Sequence, residues 1–190
     1  MSGVHLYRDR VRLLSGIGIL IRRGLWRPGL VGCVALVALV ASLACSNRVQ
    51  RFDMLFDPCV PLVLEAHGVS DEELAIVEAA IDLWQDVFAI ETTVDDVAGA
   101  RRMRVLFRDD IWYYGRFDDT RARLEVATWI EDPDTMAIVL AHEIGHAFNL
   151  YHVDESERLS VMNPGNVDVP PTPADGEELA GLWGECDARR

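Results

Sequence analysis

From residue 70 onward the chain switches between two hydrophobic periods, and each switch marks an element. Leu74, Val77, Ile81, Trp84 and Phe88 recur at the three- and four-residue intervals of one helix face. Directly before them, Ser70-Asp71-Glu72-Glu73 has the form of a capping box, in which a serine hydroxyl and a glutamate carboxylate satisfy backbone amides reciprocally. A helix is therefore predicted from residue 71, with that stripe in the core. Residues 103–107 and 122–130 are short and β-branched or alternating, the pattern of strands, and 113–117 reads as an edge strand or a loop. After Asp132-Pro133 a second helix is predicted, capped by Asp134 and running from Thr135 to about Leu150. Met136, Val139, Leu140, Ile144, Ala147 and Phe148 make it apolar on several sides, which places it at the centre of a domain. Pro170-Pro171-Thr172-Pro173 ends an irregular stretch, and 174–186 reads as a closing helix with Leu179, Leu182 and Trp183 on its buried side. The expected class is α+β, a small twisted mixed sheet with three helices and no internal repeat.

The first 45 residues follow a different pattern. Arg8, Arg10, Arg12, Arg22, Arg23 and Arg27 form a basic lead, and 29–44 contains no charge. This is the composition of an export signal, not of a folded element. Ser42-Leu43-Ala44-Cys45 resembles a bacterial lipobox, which would make Cys45 the lipidated first residue of the mature chain. Other readings stay open. The uncharged stretch 28–47 is long enough for a tilted transmembrane anchor, Leu30-Val31-Gly32-Cys33 also fits a lipobox, and Arg22-Arg23 is a weak twin-arginine signal. In each version the basic lead leaves everything after Cys45 outside the cytoplasm. The expected organisation is a leader or membrane anchor over 1–45, a linker over 46–68 and one domain over 69–190, a length sufficient for a single core and a monomer.

Charge narrows the partners. The chain carries 18 basic residues, all arginine, against 31 acids, for a net charge of −13. Six of those arginines lie in the leader with only Asp9 opposing them, so the remainder is more acidic still. Nucleic acid is excluded as a partner on electrostatic grounds. Asp95-Asp96, Asp109-Asp110 and Asp118-Asp119 are ordinarily solvated loop pairs, although they also offer the oxygen donors a structural calcium ion takes.

The chemistry is concentrated in His142-Glu143-Ile144-Gly145-His146-Ala147-Phe148-Asn149-Leu150-Tyr151-His152. Positions i and i+4 share one helix face, so His142 and His146 can aim two imidazoles at one point. Glu143 is turned about a quarter of the way round and is free to act as a general base beside the metal's open position. On a continuing helix His152 would sit roughly 240° further round, on nearly the opposite side. The helix must therefore stop and the chain turn back, and Asn149 is the residue suited to the left-handed conformation that does this. Three histidines and a glutamate at these intervals imply one catalytic zinc ion.

The pattern H-E-x-x-H-x-x-x-x-x-H, followed by Ser160-Val161-Met162-Asn163-Pro164 with Met162 ten residues past His152, resembles the metzincin metalloproteases and is most similar to their matrixin-like branch. No tyrosine follows Met162 closely, which separates it from the astacin-like and serralysin-like branches. The resemblance implies zinc ligation by His142, His146 and His152, a general base at Glu143 and a methionine turn at Met162 forming an apolar floor beneath the metal. It also implies that substrate lies extended along an edge strand within 113–130, and that 163–169 walls the pocket. Asn149 stands where the family usually has glycine. The activity implied is hydrolysis of peptide bonds in a protein or peptide substrate. The competing class is a zinc-binding or adhesion lipoprotein that keeps the fold without catalysis, which has no need of Glu143.

Cys59 and Cys186 remain beyond Cys45 and Cys33. Outside the cytoplasm such a pair is expected to oxidise into a disulfide joining the two ends of the domain. The matrixin resemblance offers an alternative, in which Cys59 within Asp57-Pro58-Cys59-Val60-Pro61 acts as a latency cysteine on the metal.

Overall fold

Five strands and three helices follow one another as β1 (Leu62–Glu65), α1 (Asp71–Gln85), β2 (Thr92–Thr93), β3 (Arg101–Arg108), β4 (Gly115–Asp118), β5 (Arg123–Ala127), α2 (Pro133–Ala147) and α3 (Pro173–Trp183), with a short 3₁₀ turn at Asp187–Arg189. They come from a computed structural model that describes residues 55–189. The leader or anchor expected over 1–45, with its Cys45, lies outside those residues.

The strands make one mixed sheet in the order β2-β1-β3-β5-β4. β2, β1, β3 and β5 run parallel, with Leu64 opposite Met103 and Val105 opposite Leu124, whereas β4 pairs antiparallel with β5 and forms the edge. One sequence-based boundary is corrected here. The stretch 46–68 was expected to be a linker, yet it contains β1, which lies between β2 and β3 with Leu62, Val63 and Leu64 buried. A strand covered on both faces shows a continuous apolar run and no alternation, and four residues of it leave no period to read.

Helix α1 starts where its capping box places it. The Ser70 hydroxyl accepts the Glu73 amide, the Glu73 carboxylate accepts the Ser70 amide at 2.7 Å, and Ile76, Val77, Ala80, Ile81 and Trp84 are buried. For α2 the cap is Asp132 and not Asp134. The Asp132 carboxylate accepts the Thr135 amide at 3.0 Å, and Pro133 occupies the first helical position, where its fixed φ is suitable and its missing N–H is no loss. α2 also ends at Ala147, three residues short of the expected Leu150. In α3, Leu179 is buried as expected, but Leu182 is 49% exposed, and the helix ends at Trp183 with Gly184, at φ 77°, as its cap.

The helices pack around α2. Every residue from Val139 to Ala147 is buried, as is Ala137. The fully buried Trp84 of α1 donates its indole N–H to the Ala141 carbonyl at 2.8 Å and meets Phe148 edge-on, and Trp183 of α3 donates to the Phe148 carbonyl. Across the sheet, acids that sequence reading left as loop pairs are taken up by arginines. Asp96 pairs with Arg102, Asp110 with Arg108, and Asp118 with Arg121 and Arg123. Burial alone would raise the Asp118 carboxyl; the Thr120 hydroxyl with Arg121 and Arg123 outweighs it and holds the group at about 2. Among the described residues, the one group of three or more His, Cys, Asp or Glu side chains close enough to share a metal ion contains no acid.

Candidate metal centre and cleft

That group is His142, His146 and His152. The first two come from successive turns of α2, and the third arrives through the turn that ends the helix. Phe148 is the C-cap and Asn149 adopts φ 74°, the left-handed conformation its sequence position called for. The Leu150 amide then reaches back to the Gly145 carbonyl at 2.9 Å and the Asn149 amide to the His146 carbonyl at 3.0 Å, which together make a Schellman motif. This reversal brings the His152 Nε2 to 3.2 Å from both the His142 and His146 Nε2 atoms.

The tautomers follow from the neighbours. His142 donates Nδ1–H to the Val161 carbonyl at 2.6 Å, and His146 donates Nδ1–H to the Leu150 carbonyl at 2.9 Å. A carbonyl can only accept, so both Nε2 atoms carry bare lone pairs. The single His152 Nε2 can donate to at most one of them, and a cation between the three satisfies all. Tetrahedral ligands at 2.0–2.1 Å from zinc lie about 3.3 Å apart, so the observed 3.2 Å spacings and the all-imidazole donor set fit that ion. Burial, opposed by the Val161 carbonyl, depresses His142 to about 4. Burial with the neighbouring His142 depresses His146 to about 3, and burial also lowers the more open His152.

Glu143 lies beside this group on the wall of a cleft of about 300 Å³. Its Oε2 accepts the backbone N–H of Phe117 in β4 at 2.7 Å. Burial pushes its carboxyl up to about 8 against the opposing pull of the Phe117 N–H and Arg116, and a cation held by the histidines would draw it back down. The approach of β4 to α2 needs a glycine. A Cβ on Gly115 would lie 2.7 Å from Val139 Cγ1 and 3.0 Å from both Cγ and Oε1 of Glu143. Gly115→Ala is accordingly expected to cost about 1–3 kcal/mol of stability by overpacking and to displace Glu143. Thermal unfolding with an assay of the same variant checks this; a variant as stable and active as wild type would show that β4 and α2 can separate freely.

Protonation gives a second expectation, for the metal-free protein. The three histidines bind protons more weakly when folded than the ordinary 6.5, so their contribution is complete above that pH and is lost as pH falls toward 4 and 3. Glu143 has the opposite sign, its contribution being lost as pH rises through about 8. With three groups against one below 6.5, Tm measured in chelator should peak near pH 6.5 and fall on either side. A Tm that rises steadily from pH 6.5 to 5 would contradict these environments.

Met162 is fully buried beneath α2. A Cβ on Gly145 would meet its sulfur at 2.5 Å, so Gly145, inside the motif, is what lets the Met162 side chain approach the helix between the two histidines' turns. The segment carrying Met162 is pinned by Asp175 of α3, which sequence reasoning missed. This wholly buried carboxylate accepts the Ser160 hydroxyl, the Val161 amide and the Thr172 amide, and pairs with Arg158. Burial would raise it, but Ser160, the Thr172 amide and Arg158 hold it below the usual carboxylate range. The signal available in the sequence was Thr172-x-x-Asp175 before an apolar helix, a capping pattern with no hint of a partner at Ser160.

Of the remaining expected residues, Gly165 and Asn166 line the cleft with Tyr113, Tyr114 and Arg116. Cys59 and Cys186 are joined as a disulfide with Cα atoms 4.9 Å apart. That bond overturns the latency alternative, since the Cys59 sulfur is committed to Cys186 and has no free thiolate to offer a metal.

No model of a protein family matches the sequence, and no curated protein matches it. Among solved structures the chain is similar to high choriolytic enzyme 1, a hatching-enzyme zinc-protease from the medaka fish Oryzias latipes, at 11% identity and a TM-score of 0.45, with 73% of this chain and 100% of that chain covered. At so loose a likeness, function has to be argued from the site's own atoms.

Proposed function

We propose that the chain is a zinc-dependent endopeptidase that works outside the cytoplasm, tethered to a membrane through its N-terminal leader. The observation that carries the chemistry is the convergence of three imidazole nitrogens, two of them fixed as bare acceptors, directly beside a buried carboxylate on an open cleft. Bound to His142, His146 and His152, zinc would supply a Lewis acid that polarises a peptide carbonyl and lowers the pKa of water toward neutrality.

The chain's own residues do the rest. Val161 and Leu150 fix the two imidazole tautomers and so keep the ligands neutral and aimed. Glu143 removes the proton from the attacking water and returns it to the departing amine, a task its place on the cleft wall beside the three imidazoles suits. Phe117 N–H holds Glu143 Oε2 in place, which leaves Oε1 as the oxygen for that exchange. Met162 forms the apolar floor of the methionine-turn arrangement.

Substrate is placed by β4. The Ala127 amide donates to the Tyr114 carbonyl, so strand alternation turns the backbone of Gly115 and Phe117 away from β5 and toward the cleft. An extended peptide can add there by β-augmentation, with Gly165 and Asn166 across from it. The basic lead and uncharged run before Cys45 support lipid anchoring, and the acidity of the rest argues for proteins and peptides as partners over nucleic acid. Cleavage of a peptide library by the purified domain, abolished by chelator and restored by zinc, is the test. Zinc binding with no cleavage of any peptide would move the chain to the competing class of non-catalytic zinc-binding lipoproteins.

A further inference from the structure

Asn166 sits at a junction that neither the ligand set nor the base explains. Its side-chain N–H donors bond the Val161 carbonyl at 3.1 Å and the Val169 carbonyl at 2.6 Å, and its Oδ1 accepts the Asp168 and Val169 amides at 3.2 and 2.9 Å. The Val161 carbonyl is the one that accepts Nδ1–H from His142. Asn166 also lines the cleft, together with β4 and the three histidines. One side-chain amide therefore grips the wall segment with one set of bonds and a ligand's orienting carbonyl with the other.

We infer that Asn166 is a positioning residue that fixes the His142 imidazole through the Val161 carbonyl and ties that ligand's orientation to the cleft wall. This rests on the zinc reading of the site, though not on catalysis. The Val161–Met162 peptide is held from both ends, its oxygen by Asn166 and its N–H by the Ser160 hydroxyl, so its carbonyl direction is set before His142 meets it. A carbonyl bonded only by the imidazole would follow the ring; one fixed independently orients it. Loss of such an outer partner typically weakens metal binding or activity by about 10–100-fold.

Two variants separate this role from plain loop structure. Asn166→Ala removes donors and acceptor, whereas Asn166→Asp restores the acceptor for the Asp168 and Val169 amides and leaves the Val161 and Val169 carbonyls without their donor. Zinc affinity by chelator competition, Tm of the zinc-loaded and zinc-free protein, and the visible spectrum of the cobalt-substituted protein are compared. Expected is zinc binding about 10–100-fold weaker in both variants with an altered cobalt spectrum, while Asn166→Asp, which keeps the two acceptor bonds, regains part of the zinc-free Tm that Asn166→Ala loses. Zinc affinity and cobalt spectrum at wild-type values in Asn166→Asp would overturn the proposal and leave Asn166 a loop former. The added negative charge of Asp works toward tighter zinc binding, so weaker binding cannot be credited to charge. Should the wild-type protein cleave no peptide, the zinc and cobalt measurements still decide the role of Asn166.

Discussion

Glu143→Gln should bind zinc as the wild type does and hydrolyse peptides about 10²–10⁴-fold more slowly, the usual consequence of removing a general base. The substitution is nearly isosteric, and its side-chain oxygen can still accept the Phe117 N–H that Glu143 holds at 2.7 Å, so β4 should keep its place over α2. Because Glu143 is buried and its charged form is costly there, replacing it with a neutral amide should also raise the stability of the metal-free protein, by an amount that grows as pH rises from 4.5 and is complete above about 8. The expected pattern is thus a lost rate, an intact metal site and an undiminished Tm. Peptide turnover, zinc content and thermal unfolding on one preparation check all three. Unimpaired turnover would remove Glu143 from the mechanism.

Cys59→Ser should lower stability by about 2–5 kcal/mol under oxidising conditions, near the top of the range because the bond spans 127 residues and the entropy of closing a loop grows with its length. Denaturant unfolding of wild type and variant, each with and without reductant, checks it. The two proteins should differ when oxidised and converge when reduced. Zinc affinity should be the same in both, since the bond lies away from the ligands in sequence and touches none of them. A loss below about 1 kcal/mol would mean that the non-covalent anchor beside it already holds this end. There, the Phe56 amide donates to the Ala147 carbonyl at the end of α2, its ring is buried, and Arg101 stacks over it.

The parts of this molecule legible in its sequence are those whose physics is local. Ser70 and Glu73 announce α1 because a capping box closes within four residues. The gap from His146 to His152 demands a reversal because helix geometry leaves no alternative, and Asn149 is the side chain able to make it. What sequence did not reveal depends on partners far away in the chain. β1 pairs with β2 and β3 on either side, is buried on both faces and has no period of its own, which makes it look like linker in the sequence. Asp175 looks like an ordinary cap until α3 docks and presents it to Ser160 and Val161. Phe117 serves Glu143 with its backbone, which no side-chain pattern encodes. Asp132 and Asp134 both suit a cap, and the choice between them turns on Pro133, which takes the first helical position and so makes Asp132 the cap.

The outward-facing edge of β4 has a consequence for the protein in concentrated solution. An edge with unpaired backbone groups will take a second copy of the same chain as readily as a peptide, and sheets that grow this way end in aggregates. Three features counter that here. β4 is only four residues long, one of its outward N–H groups is already occupied by Glu143, and Arg116 carries a half-exposed positive charge within the strand. The opposite edge, β2, is two residues long and offers little to pair with. The strong net acidity then keeps whole molecules apart at neutral pH, and that protection fades as the solution approaches the pI, about 4.7 for the whole chain and lower for the domain without its basic leader. Acidification should therefore precipitate the protein through its edge before it unfolds the core.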